Sequence, residues 1–101
     1  MPRASRRFSP QTLIVLELLA RAGGEWTYGL EIARATGLKS GSLYPILVRL
    51  AERGLLESSW QDSEMPGRPR RHAYRITAAG RTALREVAQP GSPAVLREAL
   101  R

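Results

Sequence analysis

The sequence predicts a mainly α-helical domain with one small β-hairpin, an α+β fold. Several segments carry apolar residues at helical spacing between N-cap and C-cap signals. Two shorter segments that flank an arginine-rich stretch alternate between apolar and polar residues, as strands do. A chain of 101 residues can bury one modest core, so we expect a single domain.

The first predicted helix covers roughly residues 10 to 22. Ser9 suits an N-cap position, Pro10 suits the first helical position, and Gly23 with Gly24 ends the segment. Its apolar residues cover far more than one stripe, so this helix has two faces to bury. One face is expected to pack on the domain's own core and the other on a second subunit.

The second predicted helix has Thr27 as its N-cap, with Leu30 and Ile32 facing inward. It ends at Thr36–Gly37, and the turn Leu38–Lys39 leads into a third helix. Two short helices joined by a tight turn describe a helix-turn-helix, although spacing alone also fits any antiparallel helix pair.

The third predicted helix presents Leu43, Leu47 and Leu50 at positions i, i+4 and i+7 as one apolar face. Arg53–Gly54 ends it, with a cation in the last turn and glycine just beyond. If the leucines face inward, Arg49 lies on the exposed side of this helix.

Pro45 stands near the start of the third helix and lacks a backbone N–H. If Ser42 is the N-cap, this loss falls among donors that have no intrahelical partner. If the helix begins at Ser40 instead, the Gly41 carbonyl loses one hydrogen bond. Both alternatives place the proline in the first turns of the helix.

Two predicted strands then form a hairpin with a long basic tip, the loop QDSEMPGRPRR. Thr77 caps a fourth helix that runs to about Ala88, and a short helical segment covers residues 94 to 101. The order helix-helix-helix-strand-wing-strand-helix plus a short C-terminal helix is that of a winged helix-turn-helix. Leu56, Ser58 and Trp60 share one face of the first strand, and His72, Tyr74 and Ile76 share one face of the second.

We divide the chain into a basic N-terminal arm (1–8), a winged helix-turn-helix domain (9–88), and a linker with a helical segment (89–101). The last segment is a marginal helix alone, so we expect it to pack on the partner's first helix in a homodimer. The predicted dimer interface comprises Leu13, Ile14, Leu16 and Leu18 of the first helix and Val95, Leu96 and Leu100 of the last segment.

Sixteen basic and nine acidic residues give a net charge of +7 and a pI near 11.2, values typical of nucleic-acid binders. All the basic residues except Lys39 are arginines, whose planar fork suits phosphates and guanine edges. GC-rich coding DNA offers an alternative explanation of this bias. The positions are more informative, because arginines gather near residues 3–7 and 68–75.

No enzyme is predicted. The chain has no cysteine and a single histidine, His72, so we expect neither a metal site nor a cofactor. The helical glutamates stand singly, and neither a glycine-rich phosphate loop nor a nucleophile with a base is recognisable.

The apolar run Leu13–Leu16 is too short to cross a bilayer, and no signal peptide is evident. We expect a cytoplasmic, nucleoid-associated protein without a membrane partner.

Five stretches, YGLEIARATGL, SGSLYPILVRL, ERGLLESSW, GRPRRHAYRIT and TAAGR, resemble the successive motifs of the PadR-like transcriptional regulators. The resemblance covers roughly Thr27–Val87. It implies a DNA-binding repressor, usually a homodimer, sometimes released by a small molecule. Members of that family usually carry longer helices after the winged domain than the residues past Pro90 provide. The most specific parts are Gly41 with Leu43-Tyr44-Pro45, Arg49–Leu50, and the arginine-rich wing followed by Tyr74.

Most of the predicted DNA contacts lie on the third helix and in the wing, and Thr27 and Tyr28 lie at the predicted start of the second helix. The front of such a helix reaches base edges in the major groove, and Arg49 is the best candidate for a groove-facing cation, its alternative being a pair with Glu52 or Glu57. For Tyr44, a hydroxyl contact with phosphate competes with burial against the second helix. Arginines around Pro69 suit a narrow minor groove. The predicted DNA-binding residues are Thr27, Tyr28, Lys39, Ser40, Ser42, Tyr44, Pro45, Arg49, Arg68, Arg70 and Arg71.

Two classes of function fit these features. The first is a sequence-specific regulator that binds double-stranded operator DNA, a repressor that reads a palindrome as a dimer. The second is a winged-helix adaptor that binds a protein and has only non-specific affinity for nucleic acid. The arginine-rich wing and the serine-rich start of the third helix favour the first. Trp26 and Trp60 are candidates for an effector pocket at the dimer interface, with core packing as the alternative.

Overall fold

The computed structural model describes residues 8–62 and 65–87, which form four helices and a three-stranded antiparallel sheet. The strand order is β1-β3-β2. The predicted α+β class and winged helix-turn-helix order are confirmed, with one additional short strand before the second helix. The elements are α1 (Pro10–Arg21), β1 (Thr27–Tyr28), α2 (Gly29–Thr36), α3 (Ser40–Glu52), β2 (Leu56–Gln61), β3 (Arg71–Ile76) and α4 (Ala78–Val87).

Local sequence signals set both ends of α1. Ser9 is the N-cap, and its hydroxyl oxygen accepts a hydrogen bond from the Thr12 N–H at 3.2 Å. Pro10 occupies the start of the helix, where a missing N–H leaves no acceptor unpaired. Gly23 and Gly24, with φ of 66° and 90°, turn the chain away after the last helical residue.

The start of α2 differs from the prediction. Thr27 does not cap the helix, because Thr27 and Tyr28 form β1 and pair with Tyr74 and Ala73 of β3. Tyr28 is the N-cap, and its N–H donates to the Glu31 carboxylate at 3.2 Å. The partner strand is distant in sequence, so local capping signals could not reveal this pairing.

The end of α2 agrees with the prediction, since Gly37 adopts a φ of 76° and its N–H donates to the Ala33 carbonyl at 2.8 Å. Ile32 is buried as expected, but Leu30 is 53% exposed. A helix of only eight residues has a narrow inward face, and Leu30 falls outside it.

Of the two predicted starts of the third helix, Ser40 and Ser42, the structure shows the one at Ser40. It begins at Ser40 with Lys39 as the N-cap, and the Ser42 N–H donates to the Lys39 carbonyl at 2.9 Å. Pro45 therefore lies inside α3, on its exposed surface. Because proline has no N–H, the Gly41 carbonyl loses the donor that a regular helix would supply.

The core lies between the helices and one face of the sheet. Tyr74 and Ile76 are buried on that face, whereas Trp60 at the far end of β2 is 60% exposed. The cross-strand pairs on this face are Leu56–Ile76, Ser58–Tyr74 and Trp60–His72. The helices contribute Val15, Leu16, Leu19, Ile32, Leu43, Leu47 and Leu50, each at most 1% exposed.

The predicted boundary after residue 8 is one residue late. Phe8, assigned to the basic arm, is 5% exposed and belongs to the core, with the Arg53 guanidinium 5.1 Å from its ring centroid. Burial of a large aromatic ring stabilises the fold more than a place in a solvated arm does. Residues 1–7 and 88–101 lie outside the described residues, and with them the predicted interface residues Val95, Leu96 and Leu100.

In the described ranges, each helix is too short or too polar to cross a lipid bilayer.

A set of hydrogen bonds joins the end of α3, the base of the hairpin and the start of α4. The Thr77 hydroxyl donates to the Gly54 carbonyl at 2.7 Å and accepts from the Gly80 N–H at 3.0 Å. The Thr77 N–H donates to the Leu55 carbonyl at 3.1 Å. Thr77 therefore caps α4, as predicted, and also holds the turn after α3. We call these contacts the Thr77 junction.

Gly80 fits this junction because it has no side chain. A Cβ at this position would overlap the Leu55 carbonyl oxygen and lie 2.7 Å from Ile76 Cγ1. The carbonyl is backbone that the junction itself holds, so the clash could be relieved only by moving α4 away from the sheet.

Replacing Gly80 with Ala should therefore destabilise the domain. Overpacking of this kind costs about 1–3 kcal/mol, and each kcal/mol lowers the Tm of a domain of this size by about 4–8 °C. Thermal denaturation followed by circular dichroism measures the change. Gly41→Ala is the matched control, because no atom lies within 4 Å of its Cβ position. An unchanged Tm for Gly80→Ala would contradict the account of the junction.

Candidate nucleic-acid interface

The outer face of α3 is exposed from its N-cap to its middle. The first N–H groups of the helix have no intrahelical acceptor and carry the positive end of the helix dipole. Arg49 forms no ion pair with any described residue, and Glu57, one of its two alternative partners, instead binds Arg75 at 3.0 Å. The exposed residues are Lys39, Ser40, Gly41, Ser42, Tyr44, Pro45, Val48 and Arg49, which include every predicted contact on this helix.

Tyr44 combines the two alternatives considered for it. Its side chain packs so closely on α2 that a Cβ at Gly29 would lie 2.7 Å from the Tyr44 hydroxyl oxygen. The side chain is nevertheless 40% exposed. Gly29 therefore leaves room for a tyrosine whose ring and hydroxyl oxygen pack on α2 while part of the residue stays exposed to solvent.

The wing connects β2 to β3 and presents exposed arginines. At its tip the Arg68 N–H donates to the Met65 carbonyl at 3.3 Å, and Gly67 takes a φ of 83°, as a tight turn requires. Arg68 and Arg70 are exposed. Arg70 lies 3.3 Å from the Asp62 carboxylate, and because both side chains are at least 70% exposed the pair contributes little to stability.

The two predicted contacts in β1 are placed differently from the others. Thr27 and Tyr28 are half-buried in β1, and Tyr28 is also the N-cap of α2. The guanidinium carbon of Arg71 lies 3.9 Å from the Tyr28 ring centroid. Such a cation–π contact is worth about 0.5–1 kcal/mol at an exposed site. Tyr28 therefore supports an arginine of the wing.

Two adjoining cavities lie between the start of α2 and the wing, with Tyr44 of α3 lining the smaller one, and we call them together the interface groove. The larger has a volume of about 690 Å³ and the smaller about 450 Å³. Leu30 and Met65, which sequence reasoning missed as site residues, line the larger one and are more than half exposed. Leu30 is an apolar residue outside the buried stripe of its helix, which is the signal that could have identified it. Residues lining both cavities are Tyr28, Leu30, Arg70 and Arg71.

A row of aromatic side chains crosses the inner sheet face toward this groove. Trp60 stacks on His72 with ring centroids 4.2 Å apart and an interplanar angle of 16°. The His72 Nδ1 lies 3.0 Å from the Tyr74 hydroxyl oxygen, within hydrogen-bonding distance. Trp60 and His72 both line the smaller cavity.

The two tryptophans do not meet in one pocket within a single chain. Trp60 lies on the inner face of the sheet with His72, whereas Trp26 packs under Arg75, whose guanidinium is 4.4 Å from the Trp26 ring centroid. Arg75 and His72 stand an odd number of residues apart in β3 and so point to opposite faces. The sheet separates the two rings.

Part of the predicted dimer face of α1 is buried in the core of its own chain, so less of it is exposed than expected. Leu16 is fully buried within its own chain and has no surface to offer a partner. Leu13 and Leu18 are partly buried against the core, and Ile14 is 45% exposed. The apolar surface that α1 presents to solvent is therefore centred on Ile14.

Burial raises the pKa of the Tyr74 phenol above its ordinary value of about 10, and the neighbouring Tyr44 phenol contributes to the same shift. The phenol is therefore neutral and available for a hydrogen bond with His72 at physiological pH.

Among the described residues, no three histidine or carboxylate side chains lie close enough together to hold a metal ion.

The fold and the exposed basic face together define a winged helix-turn-helix protein of the DNA-binding class. A family model described as the transcriptional regulator PadR-like family matches residues 15–86. The chain therefore belongs to the PadR-like family, whose members regulate transcription and are not enzymes.

Several solved structures share this fold. A PadR family transcriptional regulator from Eggerthella lenta is 29% identical, with 86% of this chain and 77% of that chain covered and a TM-score of 0.68. A PadR-like transcription factor from Bacteroides fragilis is 27% identical, with 87% and 81% covered and a TM-score of 0.69. The PcaV transcriptional regulator from Streptomyces coelicolor, in complex with its natural ligand, is 25% identical, with 80% and 53% covered and a TM-score of 0.65. Comparison with curated proteins found no match.

The raised pKa of Tyr74 should make the domain less stable at alkaline pH. Above about pH 10 an unfolded chain releases the phenol proton while the folded protein keeps it, so the free energy of unfolding falls as the pH rises. Tyr74→Phe has no proton to lose and should show a flatter dependence. Urea denaturation between about pH 9 and 11 measures both slopes. Equal slopes would show that Tyr74 is not the group responsible.

Proposed function

We propose that this protein is a sequence-specific double-stranded DNA-binding repressor of transcription. The observation that supports this proposal best is that Tyr44, on the exposed face of α3, and the arginines Arg70 and Arg71 line the same cavity. Membership of a family of transcriptional regulators supports the general class of function. The resemblance to PadR-like motifs supports repression as its direction.

In this proposal α3 enters the major groove of the operator. A major groove admits a helix and distinguishes all four base pairs by their donors and acceptors. Ser40 and Ser42, at the exposed front of the helix, bind a phosphate or a base edge. Arg49, which has no carboxylate partner among the described residues, reads a guanine. Tyr44 donates its hydroxyl to a phosphate while its ring rests on α2.

The wing occupies the neighbouring minor groove. Narrow minor grooves concentrate negative potential, and arginine is the side chain that commonly exploits it. Pro69 restricts the backbone between Arg68 and Arg70 and favours an extended segment. The exposed contact of Arg70 with Asp62 is weak, so a phosphate can replace the carboxylate.

One DNA strand separates a major groove from the adjacent minor groove, so a protein that enters both must accommodate that strand between its two elements. The interface groove is suited to this role. Arg70 and Arg71 can neutralise phosphates, while the exposed side chains of Leu30 and Met65 can pack on deoxyribose. This arrangement accounts for apolar and cationic residues lining the same cavity.

We further propose that the protein acts as a homodimer. Ile14 provides exposed apolar surface on α1, and Leu13 and Leu18 flank it. The segment with Val95, Leu96 and Leu100 is proposed to pack there from the partner subunit. Two-fold symmetry would match a palindromic operator whose half-sites are about 10 base pairs apart.

A small-molecule effector is also proposed, because the structurally similar PcaV regulator was determined with its natural ligand bound. Trp26 and Trp60 do not meet in one pocket, so the effector site is not assigned to them.

Since an operator is part of the chromosome, we place the protein at the nucleoid in the cytoplasm.

A binding titration on promoter DNA from upstream of the protein's own gene tests the function. The fragment should form a specific complex whose affinity falls steeply with salt, because arginines release counterions from phosphates. A random duplex of equal length is the control. Equal affinity for the two duplexes would instead favour a protein-binding adaptor with non-specific affinity for nucleic acid.

Within this experiment, Arg49→Gln should lose about 1–3 kcal/mol of discrimination at one base pair, since a bidentate arginine–guanine contact is removed. Arg68→Gln is the matched comparison and should weaken binding to both duplexes. If Arg49→Gln keeps the full sequence preference, Arg49 does not read a base.

Light scattering at micromolar concentration tests the dimer. The expected mass is twice the 11.2 kDa of one chain. Ile14→Glu should shift the mass toward one chain, because it places a charge on the apolar face of α1. A wild-type mass matching one chain would overturn the proposed dimer.

A further inference from the structure

We infer that Trp60 binds the sugar–phosphate backbone of operator DNA and that His72 and Tyr74 hold it in place for this purpose. The inference rests on the proposed function and adds a neutral hydrogen-bond donor to the charged contacts of the wing. It also replaces the predicted role of Trp60 in an effector pocket.

Trp60 is placed unlike a core residue. Trp60 is 60% exposed at the end of β2, although burial of a large apolar side chain would stabilise the fold. Its ring stacks on His72, and its indole N–H has no hydrogen-bond partner in the described part of the chain. Tryptophan has an apolar ring system and an N–H that can donate a hydrogen bond, so it suits a binding surface that is partly apolar and partly exposed to water.

The ring is held firmly despite its exposure. His72 stacks on it at 4.2 Å, and the Tyr74 hydroxyl lies 3.0 Å from the His72 Nδ1. Tyr74 itself is only 2% exposed. A side chain that is already ordered loses little conformational entropy when a ligand binds to it. The row from Tyr74 to Trp60 therefore places the indole group at a fixed point of the interface groove.

The surroundings of Trp60 indicate an anionic, extended ligand. Arg70 and Arg71 line the same cavity, and Tyr44 of α3 lines its other side. The adjoining cavity continues past Arg68, so the cations follow one another along an open groove. A DNA strand, with phosphates repeated along its length, matches this arrangement better than a compact ligand does. The indole N–H would donate to a phosphate oxygen between the arginines.

The chain contains two tryptophans, so each can be observed alone by fluorescence. In Trp26→Phe the emission comes from Trp60, and acrylamide quenching of this emission should fall severalfold when operator duplex is added. In Trp60→Phe the emission comes from Trp26, which packs under Arg75 on the other face of the sheet. Its quenching should not change on DNA binding, which makes this variant the matched control.

Affinity measurements provide the second readout. Trp60→Phe keeps a ring that can stack on His72 but removes the N–H, and it should weaken binding about tenfold. The loss should be equal for operator and random duplexes, because a phosphate contact carries no sequence information. The salt dependence should keep its slope, since indole is neutral, whereas Arg71→Gln should reduce the slope by about 1.

Two contrary results are distinguishable. If Trp60→Phe binds as tightly as the wild type and DNA does not protect Trp60 from acrylamide, the inference is overturned while the proposed function stands. If the wild-type protein forms no specific complex with any promoter fragment, the proposed function itself fails.

Discussion

The Thr77 hydroxyl makes the pair of hydrogen bonds on which the arrangement of the exposed elements depends. By bonding both the Gly54 carbonyl and the Gly80 N–H, it connects the turn after α3 with the start of α4. The same residue ends the hairpin, and its N–H holds the Leu55 carbonyl at the point where β2 begins. The third helix and the wing therefore both adjoin one fixed junction.

Much of the fold could be predicted because its determinants are local. Ser9 with Pro10, the leucines of α3, and Thr77 each act within a few residues along the chain, so periodicity and capping signals were sufficient. The strand β1 could not be predicted, because two residues carry no period and their pairing requires β3. The burial of Phe8 could not be predicted for a similar reason, since its ring lies beside Arg53 at the end of a helix that is distant in sequence.

The residues of the candidate site could largely be predicted from the sequence, but their arrangement in space could not. Sequence reasoning identified the exposed residues of α3 and the arginines of the wing, because these depend on which helix face is buried. It paired Trp26 with Trp60 because both are large aromatic residues, and only the strand register shows that a sheet lies between them. Leu30 and Met65 line the groove because α2 and the wing approach each other, a tertiary fact that neither segment encodes alone.

Pro45 has a further consequence for the mobility of α3. Without the Pro45 N–H, the Gly41 carbonyl has no regular donor, so the front turn is joined to the rest of the helix by one backbone hydrogen bond fewer. Such a bond contributes about 1 kcal/mol, and the turn is exposed to solvent. Local opening therefore requires less free energy at the front of α3 than behind it, where Leu47 and Leu50 anchor the helix in the core. The helix combines a compliant leading edge with a rigid body, which allows the leading edge to adjust to a surface without disturbing the core.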